Sequence, residues 1–257
     1  MKIFFIRKRS LIKCALAVAL LVGILAATSL ISHTNTASVF AVSKELPIYY
    51  VDMKEKAAAI TFDCAWGSSD IPEILQTLKK ENIKATFFMV GLWAEKYPEI
   101  ARMIAAEGHD IANHGYSHLR MDTLDSDKIS NEISKCSNKL SEITGTKVDL
   151  FRPPYGAYNN NVIKITNNLK HYPIQWNVDS LDWKPGISQQ EILGRIMNKI
   201  KPGSILLFHN DTPHTAKLLP TIITNLKNEG YSLIPVSKMI IKENYRIDSD
   251  GKQTAKE

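Results

Sequence analysis

Two histidines four residues apart, His114 and His118, lie in the run Asn113-His114-Gly115-Tyr116-Ser117-His118. One helical turn puts both imidazoles on one face, close enough to share a metal ion; as an isolated pair they read as ordinary surface or core histidines. Asp63 and Cys64 offer an acid and a thiol at the end of an apolar run, although a cysteine is more often a small buried hydrophobe than a ligand. In Phe151-Arg152-Pro153-Pro154-Tyr155-Gly156 each proline fixes its own φ and keeps the preceding residue extended. An arginine on so stiff a segment is either aimed at a carboxylate or part of a structural turn with a salt bridge at its rim. Asp179-Ser180-Leu181-Asp182-Trp183 holds two acids that serve a site or cap a loop. His209, directly after the apolar run 205–208, is a satisfied histidine at a sheet edge or a proton donor.

The elements that must position these residues follow from periodicity. Short apolar runs at 57–63, 85–90, 109–113, 148–151, 173–178, 204–208 and 231–235 read as strands. Helical patterns separate them. Ser69 and Asp70 precede Ile71 and Pro72, an N-cap followed by a first-turn proline; Pro98 opens the next helix and Gly108 closes it. Further helices are expected at 126–140, 161–169, 189–200 and 218–228, and 48–51 reads as an extra leading strand. Seven strands alternating with helices imply a parallel sheet, open or closed into a barrel. Asp63, His114, Arg152, Asp179 and His209 then all fall at carboxyl ends of strands, where both kinds of parallel α/β fold build their sites. Five such residues together argue for one site rather than five solvated strand ends.

Charge excludes one class of partner. The chain has 257 residues and a formal charge of +6, yet Lys2, Arg7, Lys8, Arg9 and Lys13 stand in the first 41 residues with no acid among them. The remainder is nearly neutral, with no reason to seek nucleic acid. An apolar run of 18 residues, 14–31, follows the basic cluster and is just long enough to cross a hydrocarbon layer. Residues 1–41 therefore read as a secretory signal, with cleavage after Ala41 behind Val39 and Phe40, or as an uncleaved anchor; either delivers the rest outside the cytoplasm. Residues 42–56 are a linker and leading strand, 57–241 the folded domain, and 242–257 a loose polar tail. Cys14, Cys64 and Cys136 are too few for a disulfide framework.

Thr61-Phe62-Asp63-Cys64, His114 with His118, Arg152 to Gly156, Asp179 to Trp183 and Leu207-Phe208-His209 occur in the order of five motifs of the polysaccharide deacetylases. Over essentially all of 57–241 the chain resembles carbohydrate esterase family 4, the NodB-homology domain, and within it the PdaB-type sporulation deacetylases. The resemblance implies a distorted (β/α)7 barrel and metal-dependent removal of acetyl groups from N-acetylated amino sugars, in peptidoglycan or the spore envelope. It makes Asp63 the general base, Arg152 its holder, His209 the general acid and Asp182 the partner of that imidazole. Tyr155 would bind the oxyanion through its backbone N–H, Trp183 and Leu207 would hold the acetyl methyl, and Asp179 would join the substrate contacts. His114 and His118 would be metal ligands. The family places a second, metal-binding aspartate where this chain has Cys64; a thiolate there with two imidazoles would suit Zn²⁺ above harder divalent ions, and the alternative is that Cys64 points into the barrel wall and the two histidines hold the metal alone, weakly, or not at all. The alternative to an active deacetylase is a catalytically silent member that binds glycan or a partner during envelope or spore assembly.

Overall fold

The computed structural model of the protein describes residues 8–34 and 44–256. They belong to two compact units, Met1–Ser43 and Lys44–Glu257. In the first, α1 (Lys8–Thr34) is a single helix of 27 residues with no acid in its first turn. The apolar run at 14–31 lies within it, whereas Val39, Phe40 and Ala41, the expected cleavage residues, lie outside the described residues. Among the described residues no helix is long and apolar enough to cross a membrane.

The second unit runs β1 (Tyr50–Val51), β2 (Ala57–Cys64), α2 (Ile71–Lys80), β3 (Thr86–Met89), α3 (Gly91–Lys96), α4 (Pro98–Ala106), β4 (Asp110–Asn113), α5 (Ser126–Thr144), β5 (Leu150–Phe151), α6 (Asn160–Asn168), β6 (Tyr172–Pro173), β7 (Val178–Asp179), α7 (Gln189–Lys199), β8 (Ser204–His209), α8 (Thr215–Asn228), β9 (Ser232–Leu233), α9 (Val236–Met239), β10 (Tyr245–Ile247) and β11 (Lys252–Ala255). Strands β2 to β6 lie side by side in parallel, and β8 flanks β2 on the other side. A parallel bridge from Ile48 to Ile174 joins the far end of this row to the chain just before β1, which itself pairs with β8. The sheet is thus curled on itself with helices outside it, the distorted barrel that the family resemblance implies. The single apolar run expected at 173–178 is two short strands, and α3 is an element the periodicity does not show.

Strand β2 organises both faces of the sheet. All eight of its residues are buried, as expected of a central parallel strand covered on both sides. Successive side chains of a strand point to opposite faces. Ala58, Ile60, Phe62 and Cys64 pack with Ile71, Ile74 and Leu78 of α2, while Ala59 packs with Phe88 and Ile205 in the barrel interior. Thr61 and Asp63 share the parity of Ala59 and so face inward. Phe62 stacks on Phe87 with ring centroids 4.9 Å apart, and burying each such ring stabilises the fold by about 1.5–3 kcal/mol. Register sets Asp63 directly opposite His209 across the β2–β8 pair.

The polar tail expected from residue 242 onward is instead a folded part of this unit. Strands β10 and β11 form an antiparallel hairpin, and β11 pairs in parallel with β1. Gln253 is fully buried, and its amide both donates to the Ile241 carbonyl at 2.7 Å and accepts from the Ile241 N–H at 2.9 Å. Polar composition argued for a loose segment; main-chain pairing and a doubly bonded amide hold it in place.

Candidate active site

A cavity of about 430 Å³ opens at the carboxyl ends of the central strands. Asp63, His114, His118, Tyr155, Asp179, Trp183, Leu207 and His209 all line it, which gathers eight of the sequence-predicted residues into one place. Arg152 and Asp182 stand behind this wall, both fully buried. Cys64 is not brought to the site.

Asp63, at the inward-facing end of β2, is held by a deeply buried arginine. Arg152 Nη1 donates to Asp63 Oδ1 at 2.6 Å and to Thr61 Oγ1 at 2.9 Å, and Nη2 donates to the Gln175 carbonyl at 3.0 Å. The guanidinium carbon lies 3.9 Å from the centre of the Phe88 ring, and the stiff Arg152-Pro153-Pro154 segment aims it there. Burial alone would raise the Asp63 pKa; the charges of Arg152, His114 and His209 outweigh it, so the carboxyl is held below its ordinary 3.8. Burial lowers the pKa of Arg152 itself, but a guanidinium stays charged.

His114 follows β4 directly. Its Nδ1 lies 2.9 Å from the Arg152 carbonyl, an acceptor, so Nδ1 carries the proton and Nε2 keeps its lone pair. That Nε2 sits 3.4 Å from Asp63 Oδ2. No helix joins His114 to His118: residues 114–118 form a loop in which Gly115 (φ +75°) and His118 (φ +57°) are left-handed. The positive φ favours glycine at 115, and a Cβ there would also press on the flexible end of the Met121 side chain at 2.8 Å. The two rings nevertheless meet, with centroids 5.1 Å apart. Burial lowers both pKa values, that of His118 to about 4, so both imidazoles are neutral at pH 7.

His209 ends β8 with its Nδ1 2.8 Å from Asp182 Oδ1. Asp182 Oδ2 accepts from the His209 backbone N–H at 2.7 Å and from Thr215 Oγ1 at 2.6 Å. Burial works against the imidazolium, but Asp182, then Asp63 and Asp179, more than compensate and raise the His209 pKa above 6.5. Asp179 Oδ1 caps the Leu181 N–H at 2.9 Å, and burial raises the Asp179 pKa. Tyr155 is left-handed at φ +59° with its ring exposed, and among the described residues its backbone N–H has no acceptor. Leu207 forms the buried apolar floor, and Trp183 is an exposed wall.

The expected His-His-Cys zinc set does not form. Cys64 has the opposite parity to Asp63 and is fully buried among the apolar side chains beneath α2; burial pushes its thiol pKa well up, so it is a neutral core residue. His118 Nδ1 is buried without a partner, but among the described residues no three His, Cys, Asp or Glu side chains are grouped to hold a metal. The residues present therefore do not fit a three-ligand centre.

Four participants were not foreseen. Thr215 reaches Asp182 because α8 starts three residues before its expected beginning. Thr61 shares Arg152 with Asp63; its parity with Asp63 was a legible signal. Trp66 lines the cavity from a loop that no period marks, and Trp176 from the break between β6 and β7, inside the run that reads as a single strand.

The polysaccharide deacetylase family model matches residues 50–174. A peptidoglycan-N-acetylglucosamine deacetylase of Bacillus cereus is 37% identical over 186 residues, 70% of this chain and 67% of that protein. The uncharacterized protein YlxY of Bacillus subtilis is 34% identical over 76% of this chain, a match that spans 60% of that relative's length. Among solved structures, wild-type BA3943 of Bacillus anthracis, described as a CE4 family pseudoenzyme, superposes with a TM-score of 0.73 at 37% identity, covering 76% of this chain and 69% of that one. A mutant of BA3943 is described as having restored enzymatic activity.

Proposed function

The chain belongs to the polysaccharide deacetylase family, and from that premise we propose that it hydrolyses the acetamide of N-acetylated amino sugars in peptidoglycan. The observation that carries this reading is the pair of opposed dyads in one cavity: Asp63 with Arg152, and His209 with Asp182, side by side across β2 and β8. Hydrolysis of an acetamide needs a base for water, a donor for the oxyanion and an acid for the departing amine. Asp63 takes a proton from water as its oxygen bonds to the acetyl carbon, while Arg152 fixes the other carboxylate oxygen. The free N–H of Tyr155 receives the oxyanion. As the carbon–nitrogen bond breaks, His209 delivers its Nε2 proton to the sugar nitrogen, leaving acetate and a free amine. Leu207 and Trp183 bound the space for the acetyl methyl. We place this substrate outside the cytoplasm because a basic cluster and an apolar run precede the domain; a spore-envelope setting rests on the PdaB-type resemblance alone.

A second reading has an observation of its own. With Cys64 in the core, the two imidazoles lack a third protein donor among the described residues, and the similar BA3943 is described as a pseudoenzyme. That favours a silent member that binds glycan. Acetate release by the full chain on peptidoglycan and chitooligosaccharides, with chelator and with added zinc, separates the two. Release that disappears in Asp63→Asn supports the deacetylase; no acetate under any condition establishes the silent reading.

A further inference from the structure

A second cleft, of about 500 Å³, continues from the first across a shared wall of Ala65, Trp66, His118 and Tyr155. Beyond that wall it is formed by Leu92, Trp93, Lys96, Tyr97 and Ser117. Trp66, two-thirds exposed, stands between the two with its ring edge-on to His118. Its loop is tightly tied: the Gly67 carbonyl accepts from Trp93 Nε1 at 2.8 Å and from Asn210 Nδ2, and the Gly67 N–H donates to Asp211 Oδ2 at 3.0 Å. A side chain at Gly67 would displace the Asp211 carboxylate from its bond to the Gly67 N–H. The result is a fixed aromatic ridge of the kind that carries a saccharide from one binding position to the next.

The two clefts differ in charge. The first holds the carboxylates of Asp63 and Asp179; among the described residues lining the second, Lys96 is the one permanent cation. Its ammonium lies 5.1 Å from the centre of the Tyr97 ring, and among the described residues it has no carboxylate partner. The adjacent Glu95 is engaged elsewhere, by the Tyr116 hydroxyl at 3.0 Å and by Lys139 at 3.6 Å. In the first, the charges of Arg152 and His209 answer those carboxylates; in the second, the Lys96 ammonium is left to attract an anionic sugar.

We propose that the second cleft binds the neighbouring, carboxylate-bearing sugar of the glycan through Lys96, while the neutral N-acetyl sugar occupies the first. This rests on the glycan reading above and sharpens it: the substrate alternates neutral and acidic units. The acid is a sugar's own ether-linked carboxylate or that of an attached peptide.

Titration of the full chain with two tetrasaccharides tests it, one neutral N-acetylchitotetraose, the other a peptide-free alternation of N-acetylglucosamine and N-acetylmuramic acid. The acidic ligand is expected to bind about three- to fivefold more tightly, the reach of one solvent-exposed ion pair. That advantage shrinks at high salt, vanishes in Lys96→Gln, returns in Lys96→Arg and persists in Lys147→Gln, a lysine that lines neither cleft and precedes the amino end of β5. An advantage that needs the attached stem peptide, and is lost in Lys96→Gln, supports the site and assigns the peptide carboxylate. Equal binding of neutral and acidic ligands, with and without peptide, or an advantage that survives Lys96→Gln, overturns the proposal. Absence of acetate release with the binding preference intact overturns the deacetylase reading and leaves this one standing.

Discussion

The two sides of the cavity carry the same interaction with opposite outcomes. On one, a carboxylate is paired with Arg152, whose charge is permanent; on the other, a carboxylate is paired with His209, whose charge is not. In the first pair the acid is the group that can change, and it is pinned as an anion, ready to accept a proton. In the second the imidazole is the group that can change, and it is biased toward the cation, ready to give one up. Which partner faces the cavity completes the division: Asp63 and His209 line it, while Arg152 and Asp182 lie behind. Acid and base roles are thus set by the titratability of the partner, with no difference needed in the geometry of the ion pair.

The hardest blow to this contrast is removal of the pinned anion. Asp63→Asn is expected to lower the rate of acetate release by about 10²- to 10⁴-fold with little change in glycan binding; a variant of near-normal rate would remove Asp63 from the base role. Next comes the permanent cation. Arg152→Leu leaves a buried carboxylate unpaired, and unfolding experiments should show a loss of about 3–5 kcal/mol at neutral pH. That loss should shrink as acid protonates Asp63, because a carboxyl with a depressed folded-state pKa contributes stability that is present above its ordinary 3.8 and disappears as pH falls through the folded value.

The titratable pair is probed by pH. With Asp63 ionised and His209 protonated in the active form, the rate should fall as pH rises through the His209 pKa, which lies above 6.5. Asp182→Asn should move that alkaline limb down by about one unit or more, since an opposite charge at this range shifts a pKa by roughly 1–3 units; an unmoved limb would mean that another group sets it. The smallest effect is expected from Thr215→Val, which removes one hydrogen bond to Asp182 Oδ2 and should cost about 1 kcal/mol of stability.

Residues at strand ends were legible in the sequence because two rules converge on them: apolar runs mark strands, and parallel sheets place their sites at the carboxyl ends. Asp63, Arg152 and His209 needed nothing more. Cys64 shows the same rules misapplied. Its neighbour Asp63 faces the cavity, so a regular strand must turn Cys64 the other way, and the alternation that located the base also excluded the thiol. Other features were hidden for reasons of distance. The convergence of His114 and His118 depends on two left-handed residues in a loop, Trp66 arrives from a segment without period, and Trp176 from a break in what reads as one strand. The terminal hairpin depends on β1, some two hundred residues earlier in the chain, and on a polar side chain satisfied by main chain.

That hairpin matters for how the domain tolerates trimming. Shortened to residue 241, the protein would retain every group in the cavity but lose β11 from the flank of β1, uncovering the main-chain donors and acceptors of Tyr50 and Val51 along a new sheet edge. Open edges of this kind recruit strands from other molecules. The hairpin replaces that edge with the short edge of β10, which carries the exposed Arg246, and its removal should appear first as loss of solubility.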